Sequence, residues 1–233
     1  MSTYRADPRL NQSTLKLWLD NEPSIAAWLM EHPKPPSEAM SIGTWTHKLI
    51  ETNMAEKPLI SPYDEFKKKE AKAWKEANHD FLKQDEFDKA YGMAQSVLKA
   101  FPNLHTEGGK FEVEYYDENR KALLDYVSPC GKIGFDWKTT AATNVDNFRR
   151  DCSKYRYEVQ AAWYSDLAKL DEFYFVGVSS AKPHPIFLIK ACRASFNHGA
   201  CLIKRSLRAI SEHEGKSERP MNLADAADMW EKQ

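Results

Sequence analysis

Asp136 and Lys138 stand two positions apart in the segment Ile133-Gly134-Phe135-Asp136-Trp137-Lys138-Thr139-Thr140, and a second acid, Asp125, stands in the apolar segment Ala122–Val127 just before it. Side chains on a strand alternate faces with a period of two, so Asp136 and Lys138 share one side while Trp137 takes the other. The residues between, Ser128-Pro129-Cys130-Gly131-Lys132, carry the Pro and Gly of a hairpin turn. With Pro129 to Lys132 as a four-residue loop, Ser128 pairs with Ile133 and Asp125 falls opposite Asp136. A three-residue loop would put the two acids on opposite faces. Two facing carboxylates beside a lysine make a hard-cation site with a built-in positive charge, which suits phosphodiester hydrolysis. An Asp-x-Lys alone is a solvated charge pair on most strands, worth well under ~1 kcal/mol. Here both acids lie in aromatic, apolar strands, where an unpaired carboxylate is costly unless ligated or hydrogen-bonded.

The surrounding pattern supplies the elements that must position these groups. Ser13 or Thr14 can cap a helix through Leu15, Leu17, Trp18 and Leu19, and a second apolar stretch runs from Ile25 to Met30. His32-Pro33-Lys34-Pro35-Pro36-Ser37 breaks structure. Ser41 then opens a helix with Ile42, Trp45, Leu49 and Ile50 on its apolar face and His47 at the edge of that face. From Tyr63 to Phe101 the chain is charged and helical in pattern, interrupted at His79 to Gln84; its run Lys67 to Lys72 reads as a solvated face, with phosphate contact as the lesser reading. Strands are expected at Lys110 to Tyr116, Lys121 to Val127 and Lys132 to Thr139, with Asp117-Glu118-Asn119-Arg120 as the first turn. One long helix is expected over Val145 to Leu170, with Val145, Phe148, Cys152, Tyr155, Val159, Ala162 and Asp166 or Leu167 as its buried stripe. Strands at Glu172 to Ser179 and Pro185 to Ile189 and a helix from about Ser195 to Ser211 complete the order. The result is an α/β chain with a central mixed β-sheet flanked by helices and an N-terminal helical region. A single domain over 1–233 is expected, with a mostly helical part at 1–105, a sheet-and-helix core at 106–213 and a tail at 214–233 in which Met221, Leu223 and Trp230 pack back.

Composition narrows the classes. Apolar residues make up 42% of the 233 and aromatics 12%, which fits a globular chain and excludes a disordered one. No apolar run approaches the ~18 residues that span a bilayer, and the polar first twenty residues lack a signal-peptide core. A cytoplasmic location with no membrane partner is expected. Cys130, Cys152, Cys192 and Cys201 show no C-x-x-C spacing, so they read as reduced thiols and not as cluster ligands. With 33 basic and 34 acidic residues the net charge is −1. That excludes a histone-like coat but leaves room for a local basic channel on nucleic acid.

On the Val145–Leu170 segment a second stripe lies beside the buried one. Tyr157, Gln160 and Tyr164 are spaced by three and four and share a face, with Arg149, Ser153 and Arg156 on the same polar side. Such a stripe could hold a phosphate, orient a water or stack on a base; it could equally be an ordinary helix flank. His47 by itself has no second ligand at helical spacing and reads as an ordinary surface histidine.

A resemblance now becomes specific. Ser41-Ile42-Gly43-Thr44-Trp45-Thr46-His47, Leu124-Asp125, Asp136-Trp137-Lys138-Thr139-Thr140 and the run Tyr155 to Asp166 containing Tyr157-x-Val159-Gln160-x-x-x-Tyr164 resemble the exonuclease VIII (RecE-type) branch of the PD-(D/E)xK nuclease superfamily. The similarity extends from about Tyr4 to the C-terminal region. It implies a restriction-endonuclease-like core. It implies a Mg²⁺ site, with Mn²⁺ able to substitute, ligated by His47, Asp125, Asp136 and the backbone carbonyl of Trp137. Lys138 would orient the attacking water or stabilise the phosphorane charge, Gln160 would position the water or phosphate, and Tyr164 would support the site. Arg149, Lys154, Arg156 and Tyr157 are candidate DNA contacts. Departures are Leu124 where the superfamily name has Pro, and an upstream glutamate that could be Glu112 or Glu114. The implied activity is exonucleolytic digestion of linear double-stranded DNA, 5′→3′, leaving 3′ single strands for homologous recombination. The implied partners are DNA ends, a ring-like homo-oligomer such as a tetramer, and a single-strand annealing protein, in a bacterial or phage-infected cytoplasm. The rival readings are an endonuclease of the same fold in repair or restriction, and a non-catalytic DNA-binding subunit.

Overall fold

The computed structural model describes residues 3–217. A five-stranded sheet organises it, in the order β3 (Lys110–Tyr116), β4 (Lys121–Val127), β5 (Ile133–Thr140), β6 (Glu172–Ser179) and β7 (Ile186–Lys190). Only β5 and β6 run parallel; the other neighbours are antiparallel. The sheet is therefore mixed, as its sequence order requires. The β5–β6 crossover carries α7 (Val145–Lys154) and α8 (Tyr157–Ala168). On one face α8 packs with α9 (Arg193–Ser217) and α2 (Gln12–Asp20); on the other lie α4 (Glu38–Glu51) and α6 (Gln84–Ala100). Shorter pieces complete the chain: α1 (Thr3–Ala6), α3 (Pro23–Glu31), α5 (Lys69–Ala77), and β1 (Leu59–Ile60) paired in parallel with β2 (Phe81–Leu82). Among the described residues no helix is long and apolar enough to cross a membrane. The expected tail contacts of Met221, Leu223 and Trp230 lie outside the described residues.

The five strands of the main sheet agree with the sequence pattern to within a residue, because alternating apolar and aromatic residues bounded by turn residues leave few alternatives; the two-residue β1 and β2 lie outside that pattern. Helix starts moved. Asn11, not Ser13 or Thr14, caps α2 by accepting from the Thr14 N–H at 2.9 Å. Ser37, not Ser41, caps α4, accepting from the Met40 N–H at 3.3 Å. In each case an earlier polar residue takes the exposed amides and the apolar face simply begins a turn later.

The larger correction concerns Val145 to Leu170, which is two helices. Arg156 between them adopts a left-handed backbone, φ 50 and ψ 50, at a cost of about 1–2 kcal/mol for a side chain of this kind. Its Nε donates to Asp20 on α2 at 2.6 Å, which helps to hold the bend. The predicted stripe fails across the break: Val145 and Tyr155 are 38% and 50% exposed while Phe148 and Val159 are buried.

The β3–β4 ribbon turns over midway. Phe111 and Tyr126 are paired and pack toward α4 and α6, whereas the paired Val113 and Leu124 pack toward α8. Residues two apart on a regular strand share a face, so the reversal falls on Glu112 and Asp125. Glu112 accordingly takes a left-handed φ of 49.

The α8–α9 contact is close enough to require glycine at Gly199, where an added Cβ would run into the Glu158 carbonyl. Helix propensity alone predicts that Gly199→Ala gains about 1 kcal/mol. Overpacking against backbone should reverse the sign and cost roughly 1–3 kcal/mol. A urea-unfolding midpoint below the parent's is expected; a midpoint above it would contradict this packing.

Candidate active site

The hairpin between β4 and β5 has the four-residue loop. Ser128 N–H donates to the Ile133 carbonyl at 2.9 Å and Gly131 N–H to the Ser128 carbonyl at 2.8 Å, with Gly131 at φ +70. The register Val127↔Gly134 and Tyr126↔Phe135 carries Asp125 to the level of Asp136. There the ladder stops. Trp137 N–H, the next donor expected to face β4, goes instead to the Asp125 carboxylate at 2.7 Å. The ribbon's reversal thus parts the two strands and leaves a polar notch at their fork.

Asp136 is 2% exposed. One of its oxygens meets the Lys138 ammonium and the other accepts from the Gln160 amide on α8. Burial and the Asp125 charge hold the Asp136 carboxyl above the usual carboxylate range, against the pull of Lys138. Asp125 moves the other way. Burial pushes it up, but the His47 charge and hydrogen bond, Lys138 and the Trp137 N–H bring it below the usual range. His47 Nδ1 stands 3.5 Å from Asp125 Oδ2. Burial lowers the imidazole's basicity, and the Asp125 charge more than reverses that, so His47 ends raised. α4 is held against β5 here, where Gly43 leaves no more than 3.1 Å between an added Cβ and Thr139 Oγ1.

Of the two glutamates on β3, Glu112 reaches the notch. Crowding and the nearby Asp125 charge push its carboxyl up to about 7, partly countered by His47. Glu114 points elsewhere and accepts from the Tyr116 hydroxyl at 2.6 Å.

From α8, Gln160 is buried with its Oε1 lacking any partner. Tyr164 is buried one turn further on, its phenol held far above its ordinary value by burial and by the Asp136 charge. Tyr157 carries the Lys138 ammonium 5.1 Å from its ring centroid. The remaining expected DNA contacts are more dispersed. Arg149 is exposed and pairs with Asp146 at 2.8 Å, Lys154 lies over Tyr155 at 5.1 Å, and Arg156 is engaged by Asp20.

Sequence reasoning missed Lys16. Gln12, Lys16 and Asp20 follow one another at intervals of four and share a flank of α2. That flank faces α8: Gln12 lies against the Tyr164 hydroxyl, Lys16 Nζ is 5.3 Å from the Tyr157 ring centroid, and Asp20 holds Arg156. Burial and the neighbouring Lys138 charge push Lys16 down to about 7, against the attraction of Asp136, Glu158 and Asp20. The four-residue spacing was visible, but which helix it would face was not.

The donor set is two carboxylates, an imidazole and the orphaned Gln160 amide oxygen, which is oxygen-rich chemistry suited to a hard divalent cation. As the side chains stand, no three or more His, Cys, Asp and Glu groups among the described residues are gathered to hold an ion, and Lys138 and Gln160 occupy the oxygens of Asp136. An apolar cavity of about 380 Å³, lined by Phe101, Tyr126, Phe135 and Trp137, lies under the opposite face of the sheet and shares none of these groups.

Residues 11–232 match the PDDEXK-like domain of unknown function (DUF3799). The chain belongs to this family. That membership puts it in the PD-(D/E)xK superfamily and accounts for the sheet-and-helix architecture. The crystal structure of a candidate exonuclease from Eubacterium rectale is similar in fold, with a TM-score of 0.66 at 13% identity over 91% of this chain and 87% of that one. A phage-related exonuclease from Haemophilus somnus 129PT is more distant, with a TM-score of 0.43 at 15% identity over 72% of this chain and 90% of that one. No curated protein matches in sequence.

Because its folded-state acidity is weakened, Asp136 contributes stability only while protonated, and that contribution is lost as pH rises past the ordinary carboxylate range. Without added metal, Asp136→Asn should therefore melt at or above the parent at neutral pH. Millimolar Mg²⁺ or Mn²⁺ should raise the parent's melting temperature and leave the variant's unchanged. A variant that melts well below the parent, or gains as much from metal, contradicts this account.

Proposed function

We propose that this PDDEXK-like chain is a Mg²⁺-dependent exodeoxyribonuclease of the RecE type, with Mn²⁺ able to substitute. It digests linear double-stranded DNA 5′→3′ and leaves 3′ single strands for homologous recombination. The observation that carries the reading is the fork of β4 and β5. There Asp125, Asp136 and Lys138 meet, with His47 from α4 and Gln160 from α8 against the same two carboxylates. The exonuclease description of the similarly folded Eubacterium rectale protein supports the choice of nuclease class.

His47, Asp125, Asp136 and the Trp137 carbonyl would hold the cation, which when bound polarises a phosphoryl oxygen and lowers the pKa of a coordinated water. The protein's own groups supply the rest. Lys138 puts a positive charge where the pentacovalent transition state gains negative charge. Gln160, buried and gripped by Asp136, can orient a water or a phosphate oxygen through an amide that cannot swing away. Tyr164 fills the space behind it and stays a neutral phenol. Assembly into a ring and cooperation with a single-strand annealing protein belong to the same reading, as does a cytoplasmic setting.

With Mg²⁺, linear 5′-phosphorylated duplex should be consumed from its ends while covalently closed circles stay intact on the same gel. Lys138→Met should lower the rate by about 10²-fold or more while the metal-induced rise in melting temperature persists. Cutting of closed circles would move the assignment to an endonuclease. Metal binding and DNA binding with no cleavage of either substrate would favour a non-catalytic subunit.

A further inference from the structure

Lys16 sits in an unusual electrostatic position for a lysine. Its ammonium lies over the Tyr157 ring, 5.3 Å from the centroid, and Lys138 approaches the same ring at 5.1 Å. Three acids attract it at longer range, and each is held by another group. Asp136 is held by Lys138 and Gln160, Asp20 by Arg156 at 2.6 Å, and Glu158 faces His198 at 3.4 Å. Among the described residues no carboxylate stands within ion-pair distance of Lys16. Two ammonium groups around one ring, one of them unpaired and largely withdrawn from water, repel each other and are poorly solvated. An anion entering beside them relieves both penalties.

The placement is also held firmly. Residues preceding α2 are tied down by Lys121, whose ammonium donates to the carbonyls of Tyr4 and Asp7 at 2.7 and 2.6 Å. Lys121 N–H donates to the Leu10 carbonyl at 2.9 Å. On the far side Ser206 Oγ donates to the Leu15 carbonyl at 3.0 Å. These contacts hold the backbone of the α2 turn that carries Lys16 from both sides, so the stem of Lys16 starts from a fixed point.

We propose that Lys16 is a second cationic contact for the phosphodiester being cut, holding one non-bridging oxygen while Lys138 faces another. The role rests on the nuclease reading above. In it Lys16 touches substrate, and Tyr157 sets the separation of the two ammonium groups.

The test uses the full chain with Lys16→Met, which keeps the alkyl stem and removes the charge, and Lys16→Arg, which keeps the charge. Cleavage of linear duplex with Mg²⁺ should fall about 10- to 100-fold in Lys16→Met and recover in large part in Lys16→Arg. Metal-free melting should show the opposite sign, with Lys16→Met as stable as the parent or more so, because an unpaired charge is gone. Tens of millimolar inorganic phosphate, compared with sodium chloride at equal ionic strength, should raise the parent's melting temperature and not that of Lys16→Met. A packing role predicts that Lys16→Met melts lower and keeps the phosphate effect. Unchanged cleavage, or a phosphate effect equal in parent and variant, overturns the proposal. If the parent cuts no DNA at all, the nuclease reading fails by itself, and the phosphate comparison still decides whether Lys16 holds an anion.

Discussion

Two carboxylates withdrawn from water within each other's field are the constraint on which the rest of this structure depends. Asp125 and Asp136 are forced together by the hairpin register, and neither can ionise there without help. The fold answers with groups from four directions. Lys138 comes from the same strand, His47 from α4, the Gln160 amide from α8, and the Trp137 N–H from the backbone itself. The compensation is uneven, and it pushes the two acids in opposite directions. Asp125 is stabilised as an anion while Asp136 is not. A site left under-compensated on one acid is electrostatically ready for a cation.

Delivering those groups required two departures from regular structure. The β3–β4 ribbon turns over at Glu112 and Asp125, which ends the ladder with β5 and frees the Trp137 N–H from its usual strand partner. The bend at Arg156 separates α7 from α8 and turns α8 so that Gln160 and Tyr164 enter the sheet face instead of following the stripe of α7. Each places a non-glycine residue in the left-handed region, which costs free energy that packing elsewhere must offset. Both departures lie within contact of the fork or one helix turn from it.

The N-terminal helix α2 joins the site by the same logic of helix faces. Its apolar side, Leu15, Trp18 and Leu19, is buried, and the adjoining flank of Gln12, Lys16 and Asp20 lies along α8. The segment before it is stitched to the start of β4 through Lys121, a buried lysine satisfied by backbone carbonyls. The Trp163 indole N–H donates to the Lys121 carbonyl at 3.0 Å, which links α8 to the same anchor. α2, packed on α8 and α9, thus borders the fork and is more than a peripheral addition.

Local chemistry in the sequence was enough to place the five strands of the main sheet and to offer a hairpin that brings Asp125 level with Asp136, while the Ser128–Ile133 hydrogen bond of the folded chain decided that the loop has four residues and not three. Periodicity of two and the Pro and Gly of the turn act over a few residues and have few alternative solutions. The shared face of Tyr157, Gln160 and Tyr164 was legible for the same reason. Tertiary structure alone decided the rest. The break at Arg156 has no Gly, Pro or Asn to announce it, and Asp20, which helps to hold it, lies far away along the chain. The choice of Glu112 over Glu114 depends on the reversal of the ribbon, because regular alternation puts both glutamates on one face and gives no preference. Lys16 became visible only when α2 met α8. A helix's own spacing tells which residues share a face, and only packing tells what that face will meet.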